Sequence, residues 1–351
     1  MSRFLIVRLG ALGDIVHAIP VAAALRRAFP SARIDWLVSA KHRAILDLVP
    51  VIDRRLVIND RPTTSSGRGE PVEPRADAGG GTPLLAAIRE LRRSRYDVAL
   101  DLQGLLKSAV LARCSGAPRV IGFSSPFLRE RLARPFYTEA YDPGQAATRG
   151  RMHVVQMNLG LLTALGLTVA APEFPIDAVD SPVARELRER TDGRYAILNP
   201  GAAWPNKQWP PARLGAVASA LRARYGLASI ALWGPGEETL AADVVAASGG
   251  TAIVAPRTTI ADVVALARGA ALMVSGDTGP THIAAAVGTP IVGLYGPTRP
   301  SRNGPWSPQD ITVSRDTICQ CHHLRRCVRE RMCLLDIEVD EVVEAVGRRL
   351  G

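Results

Sequence analysis

Asp277, Thr278 and His282 fall within one short stretch, Gly276-Asp277-Thr278-Gly279-Pro280-Thr281-His282, set between an apolar run ending at Ser275 and a helix of small residues. The two glycines suit a backbone that bends sharply or lets a ligand come close. Pro280 suits the first helical position, where its missing N–H would be unpaired anyway. A helix starting there aims unpaired N–H groups and the positive end of its dipole past the strand ends, which favours a phosphate or diphosphate. A purely structural turn has the same sequence requirements, so two further groups bear on the reading. Asp14 follows the apolar run Phe4–Val7 and a loop containing Gly10 and Gly13. At a helix start an aspartate acts as a cap or dipole partner; at the top of a strand facing a cleft it is also the group to take a proton from a sugar hydroxyl. After the apolar run Tyr195–Leu198, the turn Asn199-Pro200-Gly201-Ala202-Ala203 leaves room for phosphate oxygens, and Lys207 provides a cation.

The elements that must position these groups alternate between strand and helix. In the first half, Phe4–Val7, Ile34–Val38, Arg55–Ile58, Val98–Leu102 and Arg119–Gly122 read as strands; in the second, Tyr195–Leu198, Ser229–Leu232, Thr251–Val254, Leu272–Ser275 and Ile291–Leu294 do. Helical patterns between them imply parallel sheets covered on both faces, an α/β class with two Rossmann-like, doubly wound domains. A helical stretch from Arg151 to Leu167, then a Pro-rich one to Pro182, places the boundary so that 1–175 forms one domain and 176–336 the other. Residues 61–82, rich in Gly, Pro, Ser and charge, read as an insertion, either a flexible excursion or a lid. Gln103, Gly104 and Lys107 lie just past a strand, at the sheet edge where ligands of open α/β sheets bind.

The segments VRLGALGDIVHAIP, DLQGLLKS, NPGAAWPNKQWP and GDTGPTHIAAAVGTPIVGLYGPT, in this order and nearly spanning the chain, resemble glycosyltransferase family nine, the ADP-heptose:lipopolysaccharide heptosyltransferases. The resemblance implies a GT-B fold, with two Rossmann-like domains facing a central cleft and the last helix, 337–351, crossing back onto the first. It implies an inverting transfer of heptose from ADP-heptose to an inner-core Kdo or heptose hydroxyl, with Asp14 as base. Lys207 then serves the donor phosphates, and Glu237 the ribose hydroxyls. Gly201, Ala202, Ala203, Asp277, Thr278, Gly279 and His282 complete the donor side, while Gly13, Gln103, Lys107 and Arg129 are the acceptor-side candidates. Arg129 carries the fork for a bidentate grip on carboxylate or phosphate, and a helix-surface arginine is its plain alternative. No catalytic metal is required where Lys207 and the helix start at Thr278 and Gly279 take up leaving-group charge. A nucleotide-sugar epimerase of the same fold, a transferase acting on a protein or another glycan, and a non-catalytic nucleotide-sugar binder are the competing readings.

Composition narrows the partners. The chain has 351 residues, 47% hydrophobic and 22% charged, enough for two cores. No apolar run reaches the roughly 18–20 residues of a membrane span, and the first strand begins near Met1 without a secretory leader, so a cytoplasmic protein is expected. The net charge of +10 comes largely from arginine pairs. With aromatic residues at 5% and no recognised nucleic-acid module, nucleic acid is not the expected partner. The charge suits either solvated helix faces or an anionic glycolipid, with peripheral association at the cytoplasmic face of the inner membrane. Cys319, Cys321, Cys327 and Cys333 form a C-x-C-x5-C-x5-C cluster. In a reducing compartment that spacing reads as a structural zinc or iron site, with reduced thiols and disulfides as the alternatives.

Overall fold

The computed structural model describes residues 2–59, 82–322 and 324–351. It divides into two compact units, one made of Met1–Arg149 with Val154–Asp177 and the other of Gly150–His153 with Ala178–Gly351. Of the segment read as an insertion, all but Thr82 lies outside the described residues.

The first unit holds β1 (Arg3–Val7), β2 (Arg33–Ser39), β3 (Arg54–Ile58), β4 (Val98–Asp101), β5 (Arg119–Phe123) and β6 (Glu139–Tyr141) in one sheet of order β3-β2-β1-β4-β5-β6. Every neighbouring pair is parallel. The second unit holds β7 (Tyr195–Asn199), β8 (Ala228–Ala231), β9 (Ala252–Val254), β10 (Leu272–Gly276), β11 (Ile291–Tyr295) and β12 (Ile311–Ser314), in the order β12-β11-β10-β7-β8-β9 and again parallel throughout. Counted within its unit, each sheet runs 3-2-1-4-5-6, the doubly wound order whose direction of travel reverses between its first and fourth strands. The central strands read as continuous apolar runs because helices cover both faces. Leu5, Ile6 and Val7 in β1 and Ala196, Ile197 and Leu198 in β7 are all at 0–1% exposure. Truncating one of these, as in Leu198→Ala, should cost about 2–5 kcal/mol through lost burial and the cavity left behind.

Two strands escaped the periodicity reading. β6 has three residues, Glu139-Ala140-Tyr141, all only partly buried, and β12 places only Val313 inside; each is a sheet edge, where one flank meets no neighbour and the apolar signal thins out. The last helix, Val339–Leu350, corrects the expectation that it crosses to the first domain. Val342, Val343, Ala345 and Val346 on its apolar stripe are buried in the core of the second unit, beside Leu214, Leu221, Val292 and Val313.

Candidate functional site

In the first unit the loops after β1 and β4 meet at the reversal point, since Val7 is in register with Asp101. Asp14 is the third residue of the short helix Leu12–Val16. Its Oδ2 receives three contacts: Arg8 Nη2 at 2.7 Å, Arg129 Nη2 at 3.3 Å and the Ala11 N–H at 3.3 Å. The contact with the Ala11 N–H is a capping one, reaching back from the third helical residue to the residue before the helix. Oδ1 takes no hydrogen bond from the described residues. Burial alone would raise the Asp14 carboxyl, but the Arg8 and Arg129 guanidiniums outweigh it and hold the group below its ordinary range.

Each partner is itself held. Arg8, with its side chain 6% exposed, donates to the Leu102 carbonyl. Arg129 lies in a bend rather than on a helix, and that bend is tied down by the Glu130 N–H to the Gly104 carbonyl and by the Leu106 N–H to Glu130 Oε2. Gly104 has φ +70°, a left-handed backbone that favours glycine. Asp101 organises this turn from below, accepting from the Gln103 and Gly104 N–H groups, Ser108 Oγ and Tyr137 Oη. Gln103 Oε1 accepts from the Leu9 N–H at 2.7 Å, so this side chain ties the two loops together. Gly13 is buried beside Asp14, and Lys107 is exposed in the first turn of the helix Leu106–Cys114.

In the second unit the same reversal point lies between β7 and β10, where Asn199 is in register with Ser275. Asn199 Nδ2 donates to Ser275 Oγ, Thr278 Oγ1 and the Gly201 carbonyl, and Thr281 Oγ1 donates to the Gly276 carbonyl. This buried network fixes the turn before the helix Gly279–Ala286, in which Pro280 is the second residue. Asp277, its side chain 6% exposed, bridges two partners: Lys207 Nζ sits 2.7 Å from Oδ2 and His282 Nε2 sits 3.0 Å from Oδ1. Burial opposes the charge on Asp277, yet His282 and Lys207 hold it well below the usual carboxylate range. Lys207 also lies over the Trp204 ring, 4.5 Å from its centroid. Glu237 accepts from the Gly234 N–H at 3.0 Å. A Cβ at Gly201 would stand 2.0 Å from Glu237 Oε2, which explains the glycine. Ala202 and Ala203 follow in the same turn, with the Ala202 carbonyl held by Gln208 Nε2.

The cysteines of the cluster are free thiols. Cys319, Cys321 and Cys333 are buried, their sulfurs within 4.8 Å of one another, and Cys319 and Cys321 are 3.3 Å apart. Cys327 is half-buried, 3.6 Å from Cys321 and outside that triplet. Burial first, then the neighbouring thiols Cys319 and Cys327, pushes the Cys321 thiol up to about 12.

Residue types and spacing marked the acids and cations but not what holds them. Arg8, Asn199 and Asp101 were missed, although each closes or follows a strand at the reversal point of its sheet. A polar residue at that position is the signal that finds them.

The sequence and fold have known counterparts. The family model described as glycosyltransferase family 9 (heptosyltransferase) matches residues 84–332. Lipopolysaccharide heptosyltransferase 1 of Pseudomonas aeruginosa is 31% identical over 326 residues, covering 90% of this chain and 85% of that protein. Among solved structures, a glycosyl transferase family 9 protein from Veillonella parvula superposes with a TM-score of 0.77 at 24% identity, covering 99% of this chain and 97% of the other. E. coli heptosyltransferase WaaC with ADP-2-deoxy-2-fluoro heptose gives a TM-score of 0.73 at 22% identity, covering 99% of each chain. Both structures share the fold of two Rossmann-like units, GT-B. On the extent of the family match and the identity to its relatives, the chain belongs to glycosyltransferase family 9, the heptosyltransferases.

Proposed function

We propose that the protein moves a heptose from ADP-heptose to a Kdo or heptose hydroxyl of the lipopolysaccharide inner core, inverting the anomeric carbon. The hydroxyl oxygen attacks that carbon, the bond to the diphosphate breaks, and the hydroxyl proton passes to Asp14. The observation that carries this reading is Asp14 itself: held ionised by Arg8 and Arg129 through Oδ2, it keeps Oδ1 for an incoming proton. Lys207 and the first-turn N–H groups near Thr278 and Gly279 then stabilise charge accumulating on the leaving diphosphate, without a catalytic metal. A buried carboxylate next to a diphosphate would repel it, so Asp277 serves best by orienting Lys207 and His282. Glu237, beside Gly201 and Gly234 at the ends of β7 and β8, suits ribose hydroxyls.

On the acceptor side, Gln103, Lys107 and Arg129 suit an anionic glycolipid, and the +10 charge favours peripheral attachment to an anionic inner-membrane surface. No helix among the described residues is long and apolar enough to cross a membrane. Cys319, Cys321, Cys327 and Cys333 would hold one structural zinc or iron. Cys319, Cys321 and Cys333 are close enough to share one ion, with 3.3 Å between the first two against an edge of about 3.8 Å for a tetrahedron built on ~2.3 Å metal–sulfur bonds, and Cys327, 3.6 Å from Cys321 but outside that triplet, would move in to complete the set. Measuring ADP release with donor alone and with donor plus a truncated core glycolipid tests the reading. Release only in the second case supports transfer, and equal donor consumption in both would point to an epimerase or a hydrolase.

A further inference from the structure

The loop that carries Lys207 is stitched along its back to the cysteine-bearing segment. Asn206, adjacent to Lys207, is only 3% exposed. Its Nδ2 donates to the Leu324 carbonyl at 2.9 Å and contacts Cys321 Sγ at 3.8 Å. Its Oδ1 is buried with no hydrogen-bond partner among the described residues. A buried amide whose oxygen finds no partner costs free energy that a leucine of the same shape would not, so what the asparagine adds here is the Nδ2 tie to the Leu324 carbonyl. The stitching continues along the chain: Trp209 Nε1 donates to the Ile337 carbonyl and Arg213 Nη1 to the Leu335 carbonyl. The cysteine segment also braces the end of β11. His322 Nδ1 is 3.1 Å from the Pro297 carbonyl, and a Cβ on Gly296 would lie 3.0 Å from Cys333 Sγ. Meanwhile the Lys207 carbonyl packs 3.1 Å from the Cβ position of Gly276, at the head of the phosphate turn. Lys207 therefore stands on a loop whose far side is anchored at Cys321 and Leu324, and Asn206 is the joint.

We infer that Asn206 is a positioning residue for the donor diphosphate: it fixes Lys207 by tying the lysine loop to the cysteine-bearing segment, and so couples the order of that segment to nucleotide affinity. The inference rests on the proposed placement of the donor phosphates at Lys207. Its test is a double-mutant cycle on ADP affinity, measured by calorimetry on the full chain for wild type, Asn206→Ala, Lys207→Ala and the double variant, with melting temperature recorded for each. Should Asn206→Ala not fold, Asn206→Leu keeps the volume and removes the same hydrogen bonds. The expected result is a loss of about 10-fold or more for Lys207→Ala, a loss of roughly 5-fold for the Asn206 variant, and a double variant no weaker than Lys207→Ala alone, since residues acting through one contact are not additive. A role confined to folding would lower the melting temperature and leave ADP affinity unchanged. That outcome, or two losses that simply multiply, would overturn the inference while leaving Lys207 in its place. Full ADP affinity in Lys207→Ala would remove the donor placement, and the inference with it.

Discussion

In the short helix after β1 an aspartate is clasped by two arginines, whereas just past β10 an aspartate clasps a lysine and a histidine. Both sites lie where a 3-2-1-4-5-6 sheet reverses direction, so the fold gives both units the same address. What differs is the side left open. Among the described residues Asp14 makes its contacts through Oδ2, and its side chain stays 24% exposed. Asp277 spends both oxygens on its partners and is nearly closed off, so what it offers is the cation beside it. Topology puts both carboxylates at the same place in their sheets, and the number and direction of their contacts are what separate the proposed base, Asp14, from the proposed orienting group, Asp277.

Breaking the first half of the contrast should have the largest effect. Asp14→Ala should lower kcat by about 10²–10⁴, or roughly 3–5 kcal/mol, with ADP affinity near wild type. Near-normal turnover would reduce Asp14 to a helix cap. In the second half, Lys207→Ala and Asp277→Ala should each weaken donor binding or turnover by about 1–3 kcal/mol, the range of a charge-assisted hydrogen bond. Calorimetry and kinetics both unchanged in the two variants would place the diphosphate elsewhere.

The cysteines lie away from both aspartates in sequence and should matter to stability and not to proton transfer. Elemental analysis should find about one zinc or iron per chain, and chelation should lower the melting temperature, since binding energy is folding energy for the segment it ties. Finding no metal and four titratable thiols would leave the cluster as packing.

The finest test is of pH. Because Arg8 and Arg129 depress the Asp14 carboxyl below its unfolded value, its stabilising contribution is present above that value and is lost as pH falls through the lower, folded one. The acid limb of kcat/KM should accordingly lie below the ordinary carboxylate range near 4. Arg129→Ala, which removes one cation and leaves Arg8, should move that limb upward; an unmoved limb would mean that Arg129 does not hold the base.

How much of this was legible depended on whether a residue's role is local. The central strands announced themselves as apolar runs, and the glycine turns before Asp14 and Asp277 could be read because bends and helix starts have fixed residue requirements. The contacts that define the site are not local: Arg129 reaches Asp14 across 115 positions, and Lys207 reaches Asp277 across 70. Residue type marked all four as candidates, but no spacing rule pairs them. The last helix went wrong for a related reason. Its amphipathic stripe, Val342 to Val346, shows that it packs on something, and nothing in the stripe says which unit provides the surface.

The stereochemistry of the product is the most direct test of the proposed transfer. With wild-type protein, ADP-heptose and a truncated core glycolipid, NMR of the glycolipid should show one added heptose whose anomeric configuration is opposite to that of the donor. In the proposed transfer the acceptor hydroxyl, losing its proton to Asp14, displaces the diphosphate in a single step, and a single displacement inverts the carbon. A retained configuration, or a glycolipid left unchanged while donor is consumed, would contradict it.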